Sequence, residues 1–591
     1  MPSLTAHPSL SCRSLLVATL LFGVASWIAV PANAAAPAAP VRPPARQVDP
    51  VLGAIDAALK AEAITPAKAV ALRTTWRNSA RSERNARAGD RRSNIRAVRA
   101  YATSLARRKG LTPQRLEGVL LSVKATATIL GSGRRFPRHE QEVMLPGEPV
   151  VFTYYSGRGI QLQPFETFKL GTSYLTGDVP NVRAARRVAD RMLELGSTEQ
   201  STAGDPATAV LTWEFYFPFG GPSAPWRSAI SQALGLRLYA RVAQLVPDVD
   251  RPAYVAAADS IVRSFARSTS ARGVSSPQGS GSFYVMYSFN PRQRILNGHL
   301  ESLLNLYRYS LDTGSPAAQE AYDRGLAALV PLMPRFDRGD WSNYQLGQES
   351  DREYHAFVTD QLMYLARETR EPFFIDYARR FRIYLEEPAS LGVRVALLPS
   401  LVQPRDGYRD SIPVRIELNK NARVTLVITN ARGREQKRIV ASARRGINTM
   451  YWNGRTTAGA DAADGAYTGR FTITDRFGRL SRATVPQPMV IEHDTAAPIP
   501  ILATLTPTAD GTGTQVTLNV QETASRWYEG QLSIAGATIT GVVRVKSGPI
   551  TFTVARPRAE VETATVRLVD NSGNESTTTL ASVLNPSTIS G

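Results

Sequence analysis

The hydrophobic pattern of this chain changes period for good near residue 389, and that switch limits what each half can fold into. Between 164 and 385, apolar residues recur three and four apart in segments at 165–174, 182–195, 225–245, 252–268, 297–311, 316–331, 355–367 and 372–384. Such spacing predicts amphipathic helices, and Gly, Pro and Asp fill the gaps between them. After 389, Val414, Ile416 and Leu418 alternate with Arg415 and Glu417, and the stretch Val424, Thr425, Leu426, Val427, Ile428 alternates in the same way. Period two is the mark of a half-buried strand. Helix pairs in this number fit an incomplete α/α barrel, and the strands that follow fit two β-sandwiches of immunoglobulin-like type.

A chain of 591 residues is long enough for three or more domains. Arg13 precedes an apolar run at 15–24, and Ala32, Asn33 and Ala34 form a small-residue cleavage site, so 1–34 reads as a secretory leader. That run stops at Pro31, short of the ~20 residues a bilayer span needs, so no membrane span is expected after leader removal and the product is secreted or held at the cell surface. An Ala/Pro-rich linker follows over 35–50, then a helical region over 51–135, where Thr65-Pro66 and Thr112-Pro113 read as helix starts. The α/α domain is expected over 136–390 after a short β-like interlude, with sandwiches over 400–492 and 497–591.

Composition removes several chemistries. The one cysteine, Cys12, lies in the leader, so the rest of the chain has no disulfide and no thiol nucleophile. His139, His299, His355 and His493 show no metal-ligand spacing, and no metal is expected. A net charge of +20 suits an anionic polymer or surface, and equally an Arg- and Ala-rich composition. The basic stretch 73–109 is either a solvated helix surface or a contact for acidic polysaccharide. Export and the lack of any recognisable nucleic-acid module argue against nucleic acid.

Tyrosine, asparagine and histidine recur at the edges of the helical segments. Examples are Tyr284-Val285-Met286-Tyr287-Ser288-Phe289-Asn290, Arg294-Ile295-Leu296-Asn297-Gly298-His299, Asp340-Trp341-Ser342-Asn343-Tyr344 and Glu353-Tyr354-His355. Helix ends and their loops line the central cleft of a helical barrel. Two further stretches precede these in order: Tyr154-Tyr155-Ser156-Gly157-Arg158-Gly159-Ile160-Gln161-Leu162-Gln163 and Ala224-Pro225-Trp226-Arg227-Ser228. On these motifs, 51–390 resembles an exported bacterial branch of the D-glucuronyl C5-epimerase family, through its C-terminal catalytic domain.

The resemblance implies inversion of C5 in glucuronate residues of an acidic polysaccharide of heparosan type. The C5 proton lies alpha to a carboxylate, so its removal puts negative charge on the carboxylate oxygens, which a site must stabilise. Inversion needs a base on one face of the ring and an acid on the other. A phenol, with an ordinary pKa of about 10, can serve if its anion is supported. The resemblance places Tyr287, Tyr344 and Tyr354 on the family's active-site tyrosines, with Tyr287 and Tyr354 as facing proton carriers and Tyr344 orienting. Proton transfer of this kind needs no cofactor.

Substrate contacts are expected from Gln161, Gln163, Trp226, Arg294, Asn297, Trp341, Arg352 and His355. Several have a plainer reading beside the functional one. Asn297 suits a helix cap, His355 a satisfied structural histidine, and one of Trp226 and Trp341 core packing. Relative to the animal enzymes, Met286 replaces an acidic residue, and Gly347 stands where they carry arginine. Arg294 or Arg352 would then supply the missing cation.

After 400, Trp452-Asn453-Gly454-Arg455, Asp464-Gly465-Ala466-Tyr467 and Phe471-Thr472-Ile473-Thr474-Asp475-Arg476-Phe477-Gly478 resemble the Ig-like module of flagellar-hook-capping proteins. These modules read as spacers or adhesive attachments. Three function classes therefore stand: an exported uronate C5-epimerase, a non-catalytic glycan-binding surface protein, and a uronate polysaccharide lyase, which begins with the same proton abstraction. Self-association is compatible with each.

Overall fold

The computed structural model of the protein describes residues 49–132, 135–200, 205–220, 225–392, 399–546 and 548–584. The leader expected over 1–34 and nearly all of the linker over 35–50 lie outside the described residues. Two compact units divide the chain, one ending at Leu385 and the other beginning at Glu386. No described helix is long and apolar enough to cross a membrane.

The first unit opens with four helices: α1 (Pro50–Lys60), α2 (Pro66–Asn85), α3 (Asp90–Arg107) and α4 (Pro113–Gly131). Local chemistry sets their starts. The Asp49 carboxylate accepts from the backbone N–H of Val51 (2.9 Å), and the Thr65 hydroxyl from that of Lys68 (3.2 Å), each just before a proline at the first turn. Thr112 makes no such side-chain bond, so Pro113 alone marks the start of α4. Apolar stripes of the four helices meet in a core that includes Ile55, Trp76, Val98, Leu116 and Val123.

Helix α4 is buried on nearly every side because a β-hairpin, Val151–Tyr155 with Gly159–Leu162, lies on it. Hydroxyls pin the hairpin there. Thr126 Oγ1 accepts from Ile160 N (2.9 Å) and donates to Ile160 O (3.0 Å), and Ser122 Oγ accepts from Leu162 N (3.0 Å). Gly157 and Gly159 make the turn at φ 74° and 78°, a region where a side chain is strained.

Then follow α5 (Pro164–Ser173), α6 (Val182–Leu195), α7 (Ala229–Leu245), α8 (Arg251–Ala266), α9 (Leu296–Thr313), α10 (Pro316–Leu329), the short α11 (Met333–Phe336), α12 (Arg352–Thr369) and α13 (Pro372–Glu386). α7 packs on α5, α6, α8 and α9, and α9 packs on α10 and α12. The periodic segment at 225–245 starts helical only at Ala229. Trp226 instead pairs with Phe215 as an antiparallel bridge, exchanging N–H···O bonds of 3.1 and 2.7 Å. Short hairpins that periodicity does not signal punctuate the helices at Ser197–Gln200 with Ala209–Thr212, Ser275–Gln278 with Gly281–Tyr284, and Asn343–Gln345 with Gln348–Glu349.

In the second unit, strands Ala422–Thr429, Glu435–Ala443, Gly465–Thr474, Leu480–Thr484, Met489–His493 and Leu401–Gln403 make one sheet. A smaller sheet of Leu391–Gly392, Ile412–Leu418 and Gly446–Trp452 completes this sandwich. The alternation read from sequence puts Val414, Ile416, Val424 and Leu426 into its core, where Trp452, Phe471 and Ile473 join them. A second sandwich has its own core, including Val516, Leu518, Tyr528, Phe552 and Leu568.

Candidate active site

One cavity of ≈ 250 Å³ in the first unit gathers most of the chemistry-bearing side chains singled out above. Its walls come from five places along the chain. The first strand of the α4-bound hairpin ends in Tyr155, and the second hands over to Gln163 at the start of α5. The extended segment around Phe215 and Phe217 supplies an aromatic wall with Trp226. The amino end of α7 gives Ser228 and Ser231, and the loop before α9 gives Met286 and Tyr287. Hairpin 343–349 and the first turn of α12 close the ring with Tyr344 and Tyr354.

The aromatic wall is built by stacking. Trp226 lies flat on Phe215 (centroids 4.0 Å, 6° between planes), and its indole N–H donates to Phe217 O (2.9 Å). Tyr287 meets the edge of Trp226 at 5.5 Å and stacks on Phe289 at 5.5 Å. The backbones exchange bonds here too: Arg227 N–H donates to Ser288 Oγ (2.9 Å), and Ser288 N–H to Arg227 O (3.0 Å). The loop carrying Tyr287 is thereby fixed to the wall.

Beneath the wall lies a buried charge cluster. Arg115 grips the Glu214 carboxylate with two bonds (2.6 and 2.9 Å), and Arg227 Nη1 adds a third at 2.6 Å. Glu214 is 2% exposed. Since Glu214 lies next to Phe215 and Arg227 next to Trp226, the cluster ties both strands of the wall to α4.

Three phenols converge. The hydroxyls of Tyr287 and Tyr344 interact, and the contact pushes the Tyr287 phenol up and draws the Tyr344 phenol down. Tyr344 presents its ring edge-on to Tyr354 at 4.7 Å. The Tyr354 hydroxyl sits at the amino end of α9, where it accepts from Asn297 N–H (3.0 Å) and lies 3.2 Å from both Asn297 Oδ1 and Tyr344 O. A fourth phenol, Tyr155, accepts from Gln163 Nε2 at 2.8 Å.

Burial pushes all four above the ordinary phenol value. Contact with Tyr344 adds to the rise of Tyr287, whereas the same contact draws Tyr344 back. For Tyr354, the backbone N–H groups at the start of α9 pull in the same helpful direction, toward the anion.

The sign for stability follows. These groups stay protonated in the fold to a higher pH than in the unfolded chain. Their contribution is complete below about pH 10 and is lost as pH rises through the folded-state values. Denaturant unfolding of the first unit should therefore show falling stability above about pH 10. A flat profile there would contradict the burial of these phenols.

Of the residues expected from sequence, Gln163, Trp226, Tyr287, Asn297, Tyr344 and Tyr354 line the cavity. Asn297 is not the cap of α9, which is Ile295. Its Oδ1 accepts from Gly298 N (2.8 Å) within the first turn of the helix. Five others lie off the lining. Gln161 is buried and donates to Arg158 O. Arg294 is boxed in by Gln278 Oε1 (3.1 Å), Pro277 O (3.1 Å) and Pro291 O, which anchor the loop before α9. Trp341 donates to Ser350 O (2.9 Å) and stacks on His355 at 3.7 Å. His355 is fully buried, with Nδ1 on Ser342 Oγ (2.8 Å) and Nε2 on Phe381 O (3.0 Å). Arg352 is exposed on the first turn of α12.

Other residues at the cavity carry no sequence signal of their own. Phe215, Phe217 and Phe219 read as core, and Tyr155 as part of a strand. Gln163 Oε1 and Ser231 Oγ are buried without a hydrogen-bond partner and sit on the lining, ready for hydroxyls. No Lys or Arg is among the described lining residues, but Arg158 borders it, 5.6 Å from the ring of the lining residue Phe219. Its guanidinium pulls the Tyr155 phenol back toward its ordinary value against the larger effect of burial. The rim also bears Glu349, paired with Arg338 (3.0 Å), Asp351, which caps Tyr354 N (2.7 Å), and Glu353.

Comparisons with known proteins agree with both resemblances read from sequence. Residues 208–383 match the family model described as the D-glucuronyl C5-epimerase C-terminus, and residues 405–476 match the FlgD Ig-like domain. The chain is similar to an uncharacterized protein of Methanocaldococcus jannaschii, 24% identical over 178 residues, which covers 29% of this chain and 57% of that one. The chain thus spans little more than half the length of this relative. A solved structure of a 1.5-MDa bacterial ice-binding adhesin matches at 17% identity over 29% of this chain and 56% of its own, with a TM-score of 0.17. Apo β-glucuronidase 3 of Bacteroides uniformis matches at 15% identity over 35% and 26%, with a TM-score of 0.13. Neither structural likeness bears on the activity of this chain.

Proposed function

We propose that the cavity binds a glucuronate residue of an acidic polysaccharide and inverts it at C5, the helices around it forming an α/α toroid. The observation that carries this is the meeting of Tyr287, Tyr344 and Tyr354, from three separate elements, on one cavity of the domain that matches the epimerase family. Tyr354, whose anion the N–H groups at the start of α9 support, first yields its proton to solvent; the phenolate then takes the C5 proton, the C5–H electron pair passes onto the carboxylate, and neutral Tyr287 returns a proton to the opposite face. Tyr287 and Tyr354 are the carriers, and Tyr344, which interacts with both, orients that pair. Gln163 and Ser231 receive sugar hydroxyls, Trp226 and its neighbours the apolar ring face, and Asn297 positions Tyr354. On the pattern of its leader, the protein works outside the cytoplasm.

Arg158 supplies the cation for the substrate carboxylate, in the place that Arg294 and Arg352 do not fill. Replacing Arg158 by alanine should reduce kcat/KM by about 10–100-fold, the range of a lost hydrogen bond to a charged group. Most of the loss falls in KM if the contact is equally strong before and during proton removal. An unchanged kcat/KM would remove Arg158 from the site.

Incubation with a heparosan-type polymer followed by disaccharide analysis tests the reaction. The proposal expects the C5 epimer, iduronate, in uncut chains. Shorter chains with an unsaturated, ultraviolet-absorbing end would instead mark a lyase. The lack of Lys or Arg among the described lining residues favours a second reading, a glycan-binding cleft without turnover. Saturable binding with neither product would establish it.

A further inference from the structure

The first sandwich carries an arginine-rich sheet face that neither the fold nor the cavity requires. Strand registry sets it out row by row. Arg438, Val427, Arg470 and Thr484 lie side by side across four strands; the next row is Val440, Thr425, Thr472 and Arg482; the third is Ser442, Arg423, Thr474 and Leu480. These side chains point away from the core formed by Val424, Leu426, Phe471 and Ile473. Arg423, Arg438, Arg470 and Arg482 are all exposed. Arg438 pairs with Glu435 (2.6 Å), and the other three make no ion pair among the described residues.

Two ordinary explanations fall short. Charged side chains on edge strands guard against edge-to-edge pairing. That covers Arg438 and Arg482, on the outer strands, but not Arg423 and Arg470, whose strands are paired on both sides here. General solubility is served by mixed charge, whereas within these three rows every ionisable side chain is an arginine. From strand spacing and rise, the three unpaired arginines stand about 8–15 Å apart. Threonine hydroxyls of Thr425, Thr472, Thr474 and Thr484 separate them.

We infer that this sheet face binds a linear anionic polysaccharide, its arginines engaging carboxylates and its threonines the sugar hydroxyls. Charge complementarity decides the class of partner. The face is open and shallow, fit for an extended chain. Its rows hold no aromatic ring on which bases could stack, and no aromatic anchor for a bilayer. The choice of a glucuronate polymer rests on the reading of the cavity. The face would then hold the polymer while the first unit acts on it.

Titration of the full chain with hyaluronan, which has one carboxylate per disaccharide, tests this at low and high salt. Binding should weaken with salt. The variant R423A/R470A/R482A should bind about tenfold more weakly, with an unchanged unfolding midpoint and unchanged turnover of a short oligosaccharide. Y287F/Y354F should bind hyaluronan as the parent does, so failure of the cavity reading and failure of this one are seen separately. Equal binding by the arginine variant, or no binding by the parent, would overturn the inference. So would an arginine-dependent preference for duplex DNA or for phosphatidylglycerol vesicles over hyaluronan.

Discussion

Replacing Tyr287 by phenylalanine will reduce C5 proton exchange by at least about a hundredfold, the lower end of what a positioned general acid or base contributes. The ring keeps its stacking on Phe289 and its edge contact with Trp226, so the fold survives. Only the hydroxyl, and its interaction with Tyr344, is removed. Tyr354→Phe should lose as much exchange, but with a stability loss of its own. It strips the acceptor from the buried Asn297 N–H, and an orphaned buried donor costs about 1–3 kcal/mol. Tyr344→Phe should act mainly through Tyr287 and lose less. Exchange rates and unfolding midpoints, measured together, separate chemistry from structure. If exchange in the Tyr287 variant matched the parent, the phenol would have no part in it.

The second large effect concerns stability. Glu214→Ala leaves the Arg115 and Arg227 guanidinium groups without their shared carboxylate, in a place where Arg115 is 7% and Arg227 is 6% exposed. Breaking a buried ion pair from one side costs about 3–5 kcal/mol, because the remaining charge is stranded away from water. Arg227 already holds one buried nitrogen, Nε, without a partner, so it has little to fall back on. The loss should appear in the unfolding transition of the helical unit and not in that of the sandwiches. Activity should fall with it, since the aromatic wall and the Tyr287 loop hang on Arg227 through its backbone bonds to Ser288. A change below about 1 kcal/mol would mean that water or neighbouring groups compensate the stranded charges.

Much of this architecture could be read from residue order alone. The switch of period at 389 separates helices from strands, and alternation places Val414, Ile416, Val424 and Leu426 inside the first sandwich. The three tyrosines, taken from motifs far apart in the chain, come to one cavity. Direction was the harder quantity. His355 follows Tyr354 by one residue, yet on a helix that is a turn of about 100°. Tyr354 therefore faces the cavity while His355 enters the core under Trp341. Arg294 looks like a free cation in sequence, but two of its three carbonyl partners come from a hairpin that periodicity does not announce. Phe215 and Phe217 lie in a short apolar stretch with no pattern to tell wall from core. Their exposure to the cavity depends on pairing with Trp226, a contact that only the folded chain defines.

One measurement decides the central claim: the protein is incubated with a heparosan-type polymer in deuterated water, and C5 is read by NMR. Proton removal and return through phenols that exchange with solvent predicts deuterium at C5 of uncut chains, together with signals of the inverted sugar. Bound polymer that keeps its original hydrogen at every C5 would contradict it.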